Sequence, residues 1–259
     1  MRIATWNVNS VRARRDHMHA WLAAEQPDVV CLQETKVVDA DFPHDAVAAA
    51  GYRAVVSGQK SYNGVAVLAR GDLDLADPVT DLPGFDDPQR RYLAVTVGGL
   101  RVVNVYVPNG SAVGSDKYAY KLAWLAHLAD HLAAALADHP RLLLTGDFNI
   151  APADRDVHDP EAWRDQVLCS APERAAFHAL EALGLVDLFR ALHPDDPGFS
   201  WWDYRLQAFR RDRGLRIDLV LVSAALLAHG RACRIDRTPR TWDKPSDHAP
   251  VVASFDLDG

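Results

Sequence analysis

Only three cysteines occur in 259 residues, at positions 31, 169 and 233. They are odd in number, far apart and without paired metal-ligand spacing, which leaves no basis for a disulfide framework or a cysteine zinc site. Long apolar runs are lacking as well. The Met1-Arg2-Ile3-Ala4-Thr5-Trp6 start goes straight into a strand-like run, without the charged, apolar and small-residue regions of a secretion signal. The expectation is a cytoplasmic protein with no transmembrane segment and no membrane partner. Basic charge is scarce too, with 28 Lys and Arg against 35 Asp and Glu and a formal net charge of -7. A uniformly basic, nucleic-acid-binding surface is thereby excluded, and the distribution of arginines matters more than their sum. They gather at Arg12/Arg14/Arg15, Arg90/Arg91 and Arg205/Arg210/Arg211/Arg213/Arg216, so one face can still be basic. Such runs equally serve to solvate a surface. No Pro/Gly/Ser-rich linker, fixed-period repeat or low-complexity tract divides the chain, and one domain over residues 1–259 is expected.

What the chain does have is a series of short apolar runs of strand length: Ile3–Trp6, Val29–Leu32, Val65–Ala69, Leu93–Val97, Val102–Val107, Leu142–Thr145, Ile217–Val222 and Val251–Phe255. Helical patterns lie between several of them. Arg12 to Glu25 places Trp21 and Leu22 among small and charged residues, and Asp116 to His139 is rich in Ala and Leu. Ser170-Ala171-Pro172-Glu173 reads as a capping box opening an Arg174–Leu183 helix that Gly184 ends. Strands mixed with helices, without a regular βαβ repeat, predict an α/β or α+β sandwich with helices outside the sheets. The polar stretches 151–170 and 195–214 read as long loops beside the chemical motifs.

Five polar clusters stand at the ends of those runs: Trp6-Asn7-Val8-Asn9, Leu32-Gln33-Glu34-Thr35-Lys36, Gly146-Asp147-Phe148-Asn149, Arg216-Ile217-Asp218 and Ser246-Asp247-His248. If the runs are strands of one unit, their ends converge. The pooled oxygens then suit a hard divalent cation and proton transfer on a phosphate ester. Glu34 sits where a strand surfaces and can hold Mg²⁺, or simply pair with Lys36. Asp147 and Asn149 alternate with Phe148, so both polar side chains face one side of an extended segment. Asp218 runs into Leu219-Val220-Leu221-Val222, where an unpaired carboxylate is costly, so it requires a partner. His248 answers that need, because a carboxylate on one imidazole nitrogen leaves the other pointing at substrate.

The clusters, with Val105-Tyr106-Val107-Pro108-Asn109-Gly110, Ser200-Trp201-Trp202-Asp203-Tyr204-Arg205 and Arg213-Gly214-Leu215-Arg216-Ile217-Asp218, resemble the exonuclease III family of apurinic/apyrimidinic endonucleases. The motifs run in family order from near residue 5 to near residue 250. The resemblance implies a four-layer α/β/β/α sandwich, two face-to-face mixed sheets flanked by helices. It also implies a metal site of Asn7, Glu34 and Asp247, joined by Asp147 and Asn149 if a second metal binds. Mg²⁺ is the implied ion, and Mn²⁺ can substitute. By the same resemblance Asp147 activates or orients water, Asn149, His248 and Tyr106 hold the scissile phosphate, and Asp218 orients His248. Whether Asp147 or His248 is the base stays open. The implied partner is double-stranded DNA with abasic sites or 3′ ends, bound by a monomer through Arg12, Arg90, Asn109, Trp201, Arg211, Leu215 and Ile217. Trp201, Leu215 and Ile217 are expected to ring a small apolar pocket for a sugar lacking its base. The implied reaction is cleavage 5′ to abasic sites and trimming of 3′ ends, leaving a 3′-hydroxyl and a 5′-phosphate. Two other readings are a superfamily phosphatase acting on a lipid or small phosphoester, and a DNA-binding module with weak catalysis.

Overall fold

The computed structural model describes residues 1–257. Along the chain the first six strands are β1 (Arg2–Asn7), β2 (Val29–Gln33), β3 (Tyr52–Ser57), β4 (Val65–Arg70), β5 (Ala76–Val79) and β6 (Tyr92–Val97). The second six are β7 (Leu100–Tyr106), β8 (Leu142–Asp147), β9 (Leu185–Asp187), β10 (Asp218–Ser223), β11 (Gly230–Ile235) and β12 (Val251–Phe255). The helices are α1 (Arg15–Glu25), α2 (His44–Ala49), α3 (Asp116–Asp138), α4 (Ala171–Ala182), α5 (Leu188–Leu192) and α6 (Ala224–Leu227). One sheet has the order β11-β12-β1-β2-β4-β3 and the other β5-β6-β7-β8-β10-β9. Each is mixed, since β1 and β2 run parallel in the first and β7 and β8 in the second.

Alternation along the strands sorts the apolar residues into layers. Ile3, Val29, Cys31, Val65, Val67, Val102, Leu143, Val220, Val251 and Ala253 face the opposite sheet and form the central core. The alternate residues Ala4, Trp6, Val30 and Leu32 meet Met18, Trp21 and Leu22 of α1. On the other flank Val103, Val105, Leu142, Leu144, Leu219 and Leu221 meet Trp124, Leu125 and Leu128 of α3 and Phe177 of α4. The result is the four-layer α/β/β/α sandwich. Among the described residues no helix is long and apolar enough to cross a membrane.

Toward one end of the sandwich the inward positions turn polar, and there the sheets are joined by hydrogen bonds. Gln33 donates to Thr5 Oγ1 at 2.8 Å and to Asn104 Oδ1 at 2.7 Å, while Asn104 donates to the Leu32 and Ala66 carbonyls. One step further along the same faces come Asn7, Tyr106, Asp147 and Asp218. Asp147 and Asp218 are register partners across β8 and β10. On the other side of β8, Gly146 lets the strand lie close against β7: its φ is +143° and a Cβ there would lie 1.9 Å from the Val105 carbonyl oxygen. Glu173 accepts from the Ser170 backbone N–H at 3.1 Å, as the capping box requires, and Gly184 follows the helix with φ +94°.

Candidate active site

Strand ends from both sheets deliver the charged groups to one place. Glu34, at φ +52° just beyond β2, and Asp147, the last residue of β8, lie beside His248, three residues before β12. One ligand atom from each of the three falls within 4.8 Å of the others. Asn7 bridges the carboxylates, its Nδ2 donating to Glu34 Oε1 and to Asp147 Oδ2, each at 2.9 Å. Lys36 closes the other side of Glu34, with Nζ 2.7 Å from Oε2. Carboxylate oxygens this close, held by amide and ammonium donors, are a donor set that fits a hard divalent cation. Glu34 and Asp147 are the residues placed to hold one. Asn7 Oδ1 accepts the Asn9 N–H at 2.9 Å, so its amide offers nitrogen to the site and its oxygen to the backbone.

Asp247 stands outside that cluster. Its oxygens accept from Asn9 Nδ2 at 2.9 Å and Trp201 Nε1 at 3.0 Å, which joins it to Glu34 through Asn9 and Lys36 rather than directly. The Asp247 pKa is lowered: burial raises it, but His248, Trp201 and Asn9 outweigh that. Asn149, at φ +49°, donates its backbone N–H to Asp147 Oδ1 at 2.9 Å and its Nδ2 to the Val107 carbonyl at 3.0 Å. Its Oδ1 accepts from Asn109 Nδ2 at 3.0 Å.

Asp218 is buried beneath His248 and accepts from Nδ1 at 2.9 Å. This fixes the imidazole so that Nε2 faces Asp147 Oδ2 at 3.7 Å, too far for a hydrogen bond, and Nε2 is left available to substrate. Burial alone would lower the His248 pKa, yet Asp218 first and Asp147 next carry it well above the ordinary imidazole value. Burial raises the Asp147 pKa, with Asp218 adding to the rise and His248 opposing it. Tyr106 is raised by burial, then by Glu34 and Asp147, so its hydroxyl keeps its proton. Arg91 lies over its ring at 4.7 Å. The arrangement therefore pairs a basic carboxylate with two proton-bearing groups, around a place for an anion.

Three contributors carried no recognisable signal of their own. Asn9 and Lys36 were visible only as neighbours of Asn7 and Glu34. Ser200 gives Oγ to Asp218 Oδ2 at 2.7 Å and accepts the Asp218 N–H at 3.1 Å, extending the His248 support by one more group.

The residues expected to touch DNA divide. Leu215 and Ile217 require correction: at 0% and 2% exposure they pack with Val157, Leu168 and Cys169 under Trp201 and Trp163, so neither has surface to offer a sugar. Arg216 leaves the basic face as well, because it is buried in ion pairs with Asp156 at 2.6 Å and Asp187 at 2.7 Å. Trp201 stays half-buried beside an open cavity of about 730 Å³ lined also by His158, Trp163, Arg205, Leu206 and Arg213. Asn109 lines a separate cavity of about 380 Å³ with Tyr62, Gln89 and Arg91. Arg12 is paired to Asp41 at 2.9 Å and Arg90 to Asp81. Arg210, Arg211 and Arg213 are exposed. If these last contact the backbone of DNA, Arg211→Ala should flatten the salt dependence of duplex binding by about one unit of slope, and Arg12→Ala by less. Equal slopes for wild type and Arg211→Ala, measured by titration across salt concentrations, would return Arg211 to solvated surface.

Residues 4–248 match the Endonuclease/Exonuclease/phosphatase family. An exodeoxyribonuclease III of Haemophilus influenzae is 36% identical over 271 residues, covering 98% of this chain and 100% of that protein. A 3′ phosphatase from Neisseria bound to product DNA hairpin has a TM-score of 0.97 and 46% identity, covering 99% of this chain and 100% of that one. An AP endonuclease from Archaeoglobus fulgidus has a TM-score of 0.96 and 36% identity, covering 99% and 100%. Fold, site and relatives together define a phosphodiesterase of the nuclease type. The chain belongs to the Endonuclease/Exonuclease/phosphatase family, in its exonuclease III branch.

Proposed function

We propose that this chain is a Mg²⁺-dependent DNA-repair nuclease that cleaves the phosphodiester 5′ to abasic sites and trims DNA 3′ ends, leaving a 3′-hydroxyl and a 5′-phosphate. The observation that carries this reading is the meeting of Glu34, Asp147 and an Asp218-braced His248 at one end of the sandwich, with ligand atoms of the three within 4.8 Å. Relatives described as a 3′ phosphatase and as an AP endonuclease share its fold and nearly its full length, which supports both activities for one site. A single residue pattern serves both, since each breaks a P–O bond by in-line attack of water.

Asp147 takes the proton of the attacking water, a task its raised pKa suits near neutral pH. His248 presents Nε2–H to a phosphate oxygen, held cationic and oriented by Asp218. Tyr106, beside Asp147 at the end of β7, adds a hydroxyl donor. Asn149 places its backbone N–H on Asp147, fixing the carboxylate as it changes charge. Glu34 would hold Mg²⁺, or Mn²⁺ in its place, which would supply charge neutralisation on the phosphate. Glu34→Gln keeps the size of the side chain and removes its charge, so turnover should fall by about 10²-fold or more with the fold intact. Cleavage by the wild-type protein that survives thorough chelation would refute the metal dependence.

Abasic cleavage and 3′-end trimming place different demands on Trp201. With Leu215 and Ile217 covered, the wall available to an extruded sugar is Trp201 beside the open cavity, and an abasic residue has little stacking or pairing to lose on the way there. Trp201→Ala should lower abasic cleavage about 10-fold and leave 3′ trimming less affected. A parallel loss of both activities and of melting temperature would make Trp201 a packing residue instead. The function as a whole is tested on end-labelled duplexes that are intact, nicked, 3′-phosphate-ended or abasic, each with Mg²⁺, Mn²⁺ or chelator. Metal-dependent cutting at abasic sites and 3′ ends is expected, and faster hydrolysis of small phosphoesters than of any duplex would defeat the proposal.

A further inference from the structure

Lys121 of α3 is a lysine without solvent, its side chain 0% exposed. A buried ammonium is costly unless every proton finds an acceptor. Here the three donors have three acceptors: Glu173 Oε1 at 2.5 Å, the Asn149 carbonyl at 2.6 Å and the Asn109 carbonyl at 3.2 Å. The two carbonyls belong to the asparagines whose side chains meet beside Asp147, Asn109 Nδ2 donating to Asn149 Oδ1 at 3.0 Å. Glu173 in turn accepts from the Leu168 N–H at 3.0 Å, the Ser170 N–H at 3.1 Å and Ser170 Oγ at 2.5 Å. One buried charge pair thus ties α3, the start of α4, the end of the long 151–170 segment and both asparagine loops together. Space around the lysine is tight, since a Cβ on Gly110, at φ +92°, would lie 3.2 Å from Lys121 Cδ.

We infer that Lys121 is a positioning residue for the nuclease reaction: neutralised by Glu173, its ammonium clamps the backbones of Asn109 and Asn149 and so fixes the Asn149 contacts that hold Asp147 in place. The inference rests on the nuclease reading above. A pair needed only for stability could be replaced by apolar groups of similar volume at little cost, whereas a clamp on two carbonyls cannot. Tightness at a distance matters, because a displacement of about 1 Å in a reacting group is worth on the order of 10²-fold in rate.

The test compares wild type, Lys121→Met, Lys121→Arg and the double variant Lys121→Met/Glu173→Gln on a 3′-phosphate-ended duplex with Mg²⁺, well below each melting temperature. Lys121→Met should lose about 10- to 100-fold in kcat with KM within about twofold. In the double variant no unpaired charge is buried, so melting temperature should recover in part while kcat stays low. Lys121→Arg keeps the charge but alters the donor geometry, and should keep the fold with a reduced kcat. Amide exchange at residues 149–151 and 110–112, read without any substrate, should quicken about 10-fold in Lys121→Met with β8 unchanged. A kcat within about twofold of wild type together with unaltered exchange would overturn the inference, as would a double variant whose kcat returns with its stability. If Lys121→Met fails to fold, the double variant and Lys121→Arg decide the question by the same measurements. Should the wild-type protein itself not cut DNA, the proposed function falls while the exchange data still decide the clamp.

Discussion

Asp147→Asn should lower kcat by about 10³-fold or more, a loss of about 4 kcal/mol of transition-state stabilisation, with DNA affinity nearly unchanged. The substitution preserves shape and removes the group proposed to receive the proton of water. Its neighbours can adapt: Asn7 Nδ2 and the Asn149 N–H both point at the carboxylate now, and an amide oxygen can accept one of them. Folding stability gives a second reading of the same residue. An acid whose pKa is raised in the folded state binds its proton more tightly there than in the unfolded chain, so stability falls as pH rises from the unfolded value toward the folded one. The ionised Asp147 is therefore a cost of folding at neutral pH. In chelator, the Asn variant should melt no lower than wild type at pH 8, and a marked drop would mean that the carboxylate is structural.

His248→Ala and Asp218→Asn form the second pair of large effects. His248→Ala removes the proposed donor to the phosphate and should lower kcat by about 10²- to 10³-fold. Asp218→Asn keeps the imidazole but weakens what raises its pKa, since Asp218 is the largest influence sustaining the imidazolium. Its kcat should fall by about 10²-fold, and the alkaline limb of its pH–rate profile should move to lower pH, because the His248 proton is then lost sooner. The two residues act as one unit through a 2.9 Å hydrogen bond. The double variant should be scarcely slower than His248→Ala, and additive losses in a double-mutant cycle would show that Asp218 works independently.

The fold was legible in the sequence where burial is complete. All eight apolar runs are strands, and together they make the interior of both sheets. The four strands without a clear run, β3, β5, β9 and β11, are the four sheet edges. Edge strands have one side open to solvent and tolerate sequences such as Ala76-Asp77-Pro78-Val79 or Gly230-Arg231-Ala232-Cys233-Arg234, which show no sustained alternation. The charged centre was legible for a related reason. Asp218 and His248 stand beside apolar strand residues, and a charge there must be paired, so each points to the other in the sequence itself. Supporting groups gave no such tension. Lys121 lies in an Ala/Leu-rich helix where a lysine usually faces water, and Lys36 and Ser200 are common surface residues. The opposite error arose at Arg216, Leu215 and Ile217, which share a motif with functional residues but are turned inward, Arg216 to Asp156 and Asp187 and the two aliphatics to the cluster under Trp201. In an extended segment neighbours face opposite ways, so a motif does not place every member at the site.

In the proposed reaction water attacks phosphorus at the place where Glu34, Asp147 and His248 meet. It is tested most directly by a single turnover of an abasic duplex in water labelled with heavy oxygen, with Mg²⁺, followed by mass analysis of the product ends. The expected products are a 3′-hydroxyl and a 5′-phosphate carrying one labelled oxygen, with no product from Asp147→Asn on the same timescale. Cleavage that leaves the product phosphate unlabelled, or that proceeds equally in the Asp147 variant, would contradict it.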